Sequence, residues 1–304
     1  MPAYLPQYSR RDFIKRASVA AAGLALAPQL TAADAVGARD VHTFALLSDT
    51  HIDADPAKIS IKVNMADNLS AVGREIAALP KKPSGALING DLALDAGLPG
   101  DYATLGNLLK PIRAVTPVYL TLGNHDERAN FWAAFPDEAA AQRPVKEKHT
   151  SVIRSPRANW LVLDSLEITD AVPGDVGAAQ LAWLEKELSA NADKPAIIVV
   201  HHNLNSPDTF AGLNDSEALV KLFARHRRIK AFVFGHTHNW SVTQHDTGVH
   251  LINLPPVAYV FKEGRPNGWV RATLAPDGIE LELRSLNTSH PEHGKTQELK
   301  WREG

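Results

Sequence analysis

Five short apolar runs in this chain each end in residues of the kinds that hold metal ions. Phe44–Leu47 leads into Ser48-Asp49-Thr50-His51, Ala86–Ile88 into Asn89-Gly90-Asp91, and Val118–Leu122 into Gly123-Asn124-His125-Asp126. Ile197–Val200 leads into His201-His202, and Ala231–Phe234 into Gly235-His236-Thr237-His238. Short apolar runs bounded by glycine and polar residues read as buried strands. In an open α/β sheet, ligands bind in the crevice beyond the carboxyl ends of the strands. The five clusters are therefore predicted to converge on one site.

Between the runs lie helical patterns at Asn64–Leu79, Tyr102–Lys110, Ala178–Ala190 and Glu217–His226, and two further strands are predicted at Trp160–Leu163 and Leu251–Leu254. Alternation of strand and helix argues an α/β domain, and the last third of the chain carries more strand than helix. One catalytic domain spanning residues 40–304 is the economical reading, with the polar stretch after Asn287 expected to fray. The composition, 44% hydrophobic and 22% charged, lets 304 residues bury a sizeable core without disulfides. A formal net charge of -2 excludes a broad footprint for a nucleic-acid duplex.

The chain has no cysteine. That rules out thiolate catalysis and cysteine-ligated zinc, and leaves imidazole, carboxylate and amide oxygen to hold a metal. Asp49 and His51 are two residues apart, as are His236 and His238. If the extended strand continues through them, each pair points the same way. The glycines at 90, 123 and 235 let the backbone turn beside ions. Asp91 has two oxygens with spare lone pairs and can bridge two cations. Each piece alone is a common accident, since Gly-Asp is usually a turn. The conjunction is not: six of the 13 histidines fall in four motifs, each directly after an apolar run.

In this order, Asp-x-His, Gly-Asp, Gly-Asn-His-Asp, His and Gly-His-x-His resemble the calcineurin-like metallophosphoesterase superfamily, over nearly the whole chain beyond residue 40. The likeness is closest to its bacterial cyclic-nucleotide and glycerophosphodiester phosphodiesterase branch. Gly90-Asp91-Leu92 with Tyr102, Phe131, Leu163-Asp164-Ser165 and Gln180-Leu181-Ala182-Trp183-Leu184 add to it. The resemblance implies a four-layer α/β/β/α sandwich with two mixed sheets. It implies two transition-metal ions (Mn, Fe, Zn or Co), one held by Asp49, His51 and His238, the other by Asn124, His201 and His236, with Asp91 between them. His125 would act near the phosphate, and Asp126 would orient it. His202 reads as structural rather than catalytic.

Two cations roughly 3.5–4 Å apart can bind and deprotonate a water and hold phosphate oxygens. The expected activity is hydrolysis of a small-molecule phosphate ester, most simply a diester. A phosphomonoesterase is the enzymatic rival, and a metal-binding protein without turnover is the rival from another class. Asp91 and His125 are both present, which favours an enzyme. Leu94 stands where purple acid phosphatases carry a tyrosine, and the arginine of the family's protein phosphatases is missing after Asp91. The loops beside the motifs offer one arginine, Arg128, and segments 127–150 and 203–215 are expected to wall the pocket.

Ahead of all this, Ser9-Arg10-Arg11-Asp12-Phe13-Ile14-Lys15 and the small apolar run Ala17–Ala27 resemble a bacterial twin-arginine signal within residues 1–35. The run is too short to span a bilayer, and no cysteine offers a lipid anchor. The expectation is a periplasmic or secreted protein, exported by the twin-arginine machinery, with no stable membrane anchor.

Overall fold

The computed structural model describes residues 40–140, 143–191, 193–206 and 211–304. The signal-like segment 1–35 lies outside them, and every described element belongs to the unit Arg39–Gly304. The strands are β1 (Asp40–Leu47), β2 (Ile59–Ser60), β3 (Val63–Asn64), β4 (Pro83–Asn89), β5 (Val118–Thr121), β6 (Ser151–Arg154), β7 (Asn159–Val162), β8 (Ala196–Val199), β9 (Ile229–Phe234), β10 (Ser241–Gln244), β11 (His250–Asn253), β12 (Gly268–Ala275), β13 (Gly278–Ser285) and β14 (Thr296–Lys300).

Two six-stranded sheets form, in the orders β14-β13-β12-β1-β4-β5 and β10-β11-β9-β8-β7-β6. In the first, β1, β4 and β5 run parallel and β12 to β14 join antiparallel. In the second, β7, β8, β9 and β11 are parallel, flanked by antiparallel β6 and β10. Both sheets are mixed, as expected of the sandwich.

The apolar runs are continuous because each central strand is buried on both faces. Phe44 and Leu46 face the other sheet, where Trp160, Val162, Ile197, Val199 and Val233 complete a core. Phe44 and Trp160 rings meet at 4.9 Å. Ala45 and Leu47 point the opposite way, against the helix Met65–Ala78 and its neighbours. On the outer face of the second sheet, Leu161, Ile198 and Phe232 pack under the helices Ala178–Ala190 and Ser216–Arg225. The layers are thus helix, sheet, sheet, helix.

Asn64 caps the helix Met65–Ala78 by accepting from Asp67 N at 2.9 Å. Asp215, at the N-cap position of Ser216–Arg225, makes no side-chain cap there. Its carboxylate instead accepts from Val176 N and Gly177 N, at the start of Ala178–Ala190. The expected fraying after Asn287 is corrected. β14 pairs with β13. Arg302 is 9% exposed, with its guanidinium on the carbonyls of Ile229, Thr247, Phe223 and His226. The buried, hydrogen-bonded Arg302 ties the end of the chain to the second sheet and its helix.

Candidate metal centre

β1, β4 and β5 of one sheet and β8 and β9 of the other end at a common edge. There the two sheets are stitched together: Asn89 Nδ2 donates to Val200 O at 3.0 Å, and His201 Nδ1 meets Asn89 O at 2.9 Å. The extended continuation expected for the paired ligands is not found. Asp49, His51, Asp91, His236 and His238 have φ of 52°, 47°, 46°, 66° and 50°. A left-handed backbone at a residue with a Cβ costs about 1 kcal/mol or more. It is held because each loop satisfies another: Asp49 N donates to Gly90 O, His51 N to Asp91 O, and Gly235 N to His201 O, at 2.9–3.1 Å. His236 N donates to the Asp49 carboxylate at 3.1 Å. Gly123 is needed for close approach, since a Cβ there would collide with the Asp91 carboxylate and meet His201 Nε2 at 2.8 Å.

These turns gather the side chains into two groups that share Asp91. Asp49, His51, Asp91 and His238 form one, and Asp91, His201 and His236 the other; within each, the candidate ligand atoms lie within 4.8 Å of one another. Asp91 Oδ2 is 3.6 Å from His51 Nε2 and 3.2 Å from His201 Nε2. His238 Nε2 is 3.5 Å from Asp49 Oδ1. Asn124 is 3% exposed, and its Oδ1 is buried with no hydrogen-bond partner among the described residues.

The donor chemistry fits cations. His51 Nδ1 meets Leu94 O at 3.1 Å and His238 Nδ1 meets Tyr259 O at 2.6 Å. A carbonyl only accepts, so both Nδ1 atoms carry protons and both Nε2 atoms present lone pairs. Those two Nε2 atoms are 3.0 Å apart. Lone pairs so placed repel unless a positive charge lies between them and the neighbouring carboxylates. His236 is oriented the other way round, with Nε2 on Ala211 O at 2.9 Å, which leaves Nδ1 as the atom it can offer.

Burial sets the charges. It pushes the His51 and His236 imidazoles down to about 3, so both are neutral ligands, and it raises the Asp49 carboxyl. Burial alone would also lower His201, but the Asp91 carboxylate outweighs it and pushes His201 up to about 9. Asp91 would be raised by burial, yet His201 holds it well below the usual carboxylate range. Asp91 and His201 thus form an ion pair, and a cation held there would take the place of the His201 proton.

His125 stands at the mouth rather than among the ligands. Its ring lies 5.3 Å from His51, its side chain is 26% exposed, and its backbone N donates to Asp91 Oδ1 at 3.0 Å. The expected role of Asp126 is corrected. Its carboxylate accepts from Gly123 N, Leu92 N, Ala93 N and Tyr102 Oη at 2.8–3.2 Å. It ties the Asp91 loop to the Asn124 loop, and burial pushes it up to about 7. His125 Nδ1 instead meets Asp95 O at 2.9 Å and Asp170 Oδ1 at 3.4 Å. His202 is fully buried, bonded through Nδ1 to Ser165 Oγ at 2.7 Å and packed on the His236 ring at 4.5 Å. Arg128 turns away: its guanidinium grips the buried Asp164 carboxylate at 2.8 and 3.0 Å and donates to Leu166 O at 2.7 Å.

Beside His238 opens a cleft of about 520 Å³. Of the expected walls, Asn203 and Leu204 line it, while segment 127–150 contributes nothing to it among the described residues. Its walls come instead from Asn239, Asn253, Phe261, Lys262 and Arg265, which no local motif singles out.

The profile of the calcineurin-like phosphoesterase family matches residues 42–240. A 3′,5′-cyclic-nucleotide phosphodiesterase of Nostoc sp. is 27% identical over 225 residues, covering 72% of this chain and 80% of the relative. A glycerophosphodiester phosphodiesterase of Enterobacter lignolyticus is 24% identical over 228 residues, with the same 72% and 80% coverage. A solved dimetal phosphatase from Danio rerio superposes with a TM-score of 0.68 at 14% identity, covering 86% of this chain and 99% of that one. Identity so low speaks for the fold alone. The matched profile spans the strand ends whose carboxylates and imidazoles gather here, and the chain belongs to the calcineurin-like phosphoesterase family as a metal-dependent phosphoric ester hydrolase.

Proposed function

We propose that the protein hydrolyses phosphodiesters with two transition-metal ions (Mn, Fe, Zn or Co). The observation that carries the diester reading is the bidentate pair of Arg128 with buried Asp164. A monoester carries nearly two charges at neutral pH and a diester one. Gripping the extra charge calls for a cationic fork aimed at the phosphate. Arg128, beside the metal motifs, is already engaged by Asp164. Lys262 and Arg265 line the adjoining cleft but are exposed, where water screens them. Relatives named for diester hydrolysis support the same reading.

Asp49, His51 and His238 would hold one ion and Asn124, His201 and His236 the other, with Asp91 serving both. Bound there, the ions supply Lewis acidity, lowering the pKa of a water and neutralising phosphate charge. The chain's own residues position the rest. The carbonyls of Leu94, Asn89 and Tyr259 fix the imidazoles. Asp126 keeps the Asp91 and Asn124 loops in register. His125, anchored at Nδ1, holds Nε2 for passing a proton to the leaving oxygen.

On manganese-loaded protein, bis(p-nitrophenyl) phosphate is expected to give a higher kcat/KM than p-nitrophenyl phosphate at neutral pH. A monoester preference of tenfold or more would overturn the diester reading and turn attention to Lys262 and Arg265. Arg10-Arg11 supports the further proposal of twin-arginine export to the periplasm or beyond. Replacing both with lysine should retain the protein in the cytoplasm, and unchanged periplasmic recovery would dismiss that route.

A further inference from the structure

Phe261 is 59% exposed. Exposure alone would say little, because single apolar side chains on a surface are common. Its setting is what singles it out. One face of the ring stacks on the His238 imidazole, with centroids 4.2 Å apart and planes inclined by 25°. His238 is itself pinned through Nδ1 to Tyr259 O, and its ring packs against that of Tyr259 at 5.0 Å. The phenyl ring therefore rests on a fixed support rather than swinging freely. It also lines the 520 Å³ cleft, together with apolar Phe234 and Leu251 and polar Asn239 and Asn253.

We infer that Phe261 is a stacking platform for the base of a nucleoside phosphodiester, seated in this cleft while the phosphate lies at the metal centre. The inference rests on the diesterase reading and sharpens its substrate class. A cleft of this size suits a small molecule. His238 lines the cleft, so a substituent carried by a phosphate at the metal centre would enter it on that side. A planar heteroaromatic ring gains from stacking on an exposed phenyl face, whatever its hydrogen-bonding edge. A glycerol substituent has no such face to offer. Apolar Phe234 and Leu251 and the amides of Asn239 and Asn253 in the same cleft suit a flat ring with polar edges better than a polyhydroxyl chain.

The test compares metal-loaded wild type, Phe261→Ala and Phe261→Tyr on two diesters, adenosine 3′,5′-cyclic monophosphate and glycerophosphoethanolamine. The ratio of kcat/KM for the nucleotide over the glycerol diester is expected to fall about tenfold in Phe261→Ala, mainly through KM, and to return in Phe261→Tyr, which keeps the ring. Metal content is measured on each variant. An unchanged ratio overturns the platform. So does an equal loss on both diesters accompanied by lost metal, which would make Phe261 a support for His238 alone. If wild type turns over neither diester, the diesterase reading fails, and the platform is judged by calorimetric binding of adenosine 5′-monophosphate against glycerol 3-phosphate. Tenfold weaker nucleotide binding in Phe261→Ala then sustains it, and no preference for the nucleotide in wild type overturns it.

Discussion

Asp91 and Phe261 lie in one site, yet Asp91 is 2% exposed and Phe261 59%. The difference runs through the whole centre. The floor is buried and held by groups from neighbouring strand ends, as Asp126 shows with three amides and a phenol. The rim, with Phe261, Asp170, Lys262 and Arg265, stands on loops open to solvent. The floor is built to hold charge in fixed positions, which is where electrostatic work on a phosphate is strongest. The rim is built to meet whatever the phosphate carries. Chemistry and selectivity are thereby separated, and substitutions in the two regions should fail in different ways.

The largest effect is expected at the shared carboxylate. Asp91→Asn should lower turnover about 10³-fold or more and lose metal, because one amide oxygen cannot serve two cations. Elemental analysis checks it: close to two ions per chain in wild type, fewer in the variant. Wild type that folds and saturates with one ion would break the bridging role.

Next comes His125, which sits between floor and rim. His125→Ala should cost about 10²-fold in kcat while metal content stays normal, as loss of a proton donor does. Lost metal in that variant would move His125 into the floor.

Loading of the floor should depend on pH. His201 is pushed up to about 9, so below that pH a cation must displace its proton. Metal affinity should fall about tenfold for each unit of pH below 9. In the metal-free protein the sign is opposite: the Asp91–His201 pair stabilises fully below the ordinary imidazole value and fades as pH rises through about 9. Calorimetric titration at several pH values, with thermal melts of the metal-free form, measures both. A pH-independent affinity would contradict the proposed exchange.

The smallest effect belongs to Asp170, whose side chain is 66% exposed and 3.4 Å from His125. Asp170→Asn should lower kcat only about threefold, since an exposed pair is weak, without moving metal content. A loss as large as that of His125→Ala would make the rim part of the proton-transfer machinery.

Alternation of strand and helix argued an α/β domain, the family resemblance implied the sandwich, and the strand-end motifs held Asp49, His51, Asp91, His201, His236 and His238, which gather in the floor. Runs such as Ile197–Val200 are continuous because both faces are buried, and a strand that ends in Gly-His-Thr-His or Gly-Asp leaves ligand-type residues at a sheet edge. The helix Ala178–Ala190 has the boundaries its pattern predicts. The C-terminal strands were legible only as a tendency, although Pro276-Asp277 followed by Gly278 is a turn signal between two alternating stretches. Tertiary structure alone decided the rest. Left-handed turns at Asp49, His51, His236 and His238 are stabilised by partners in other loops, so no local pattern announces them. The family resemblance paired Asp126 with His125, yet the turn sends His125 to the mouth and the Asp126 carboxylate to the amides of Leu92, Ala93 and Gly123. Phe261 and Asp170 reach the centre from loops whose own residues form no motif, because a rim residue is defined by the neighbour it meets across space, and only folding brings His238 beneath Phe261.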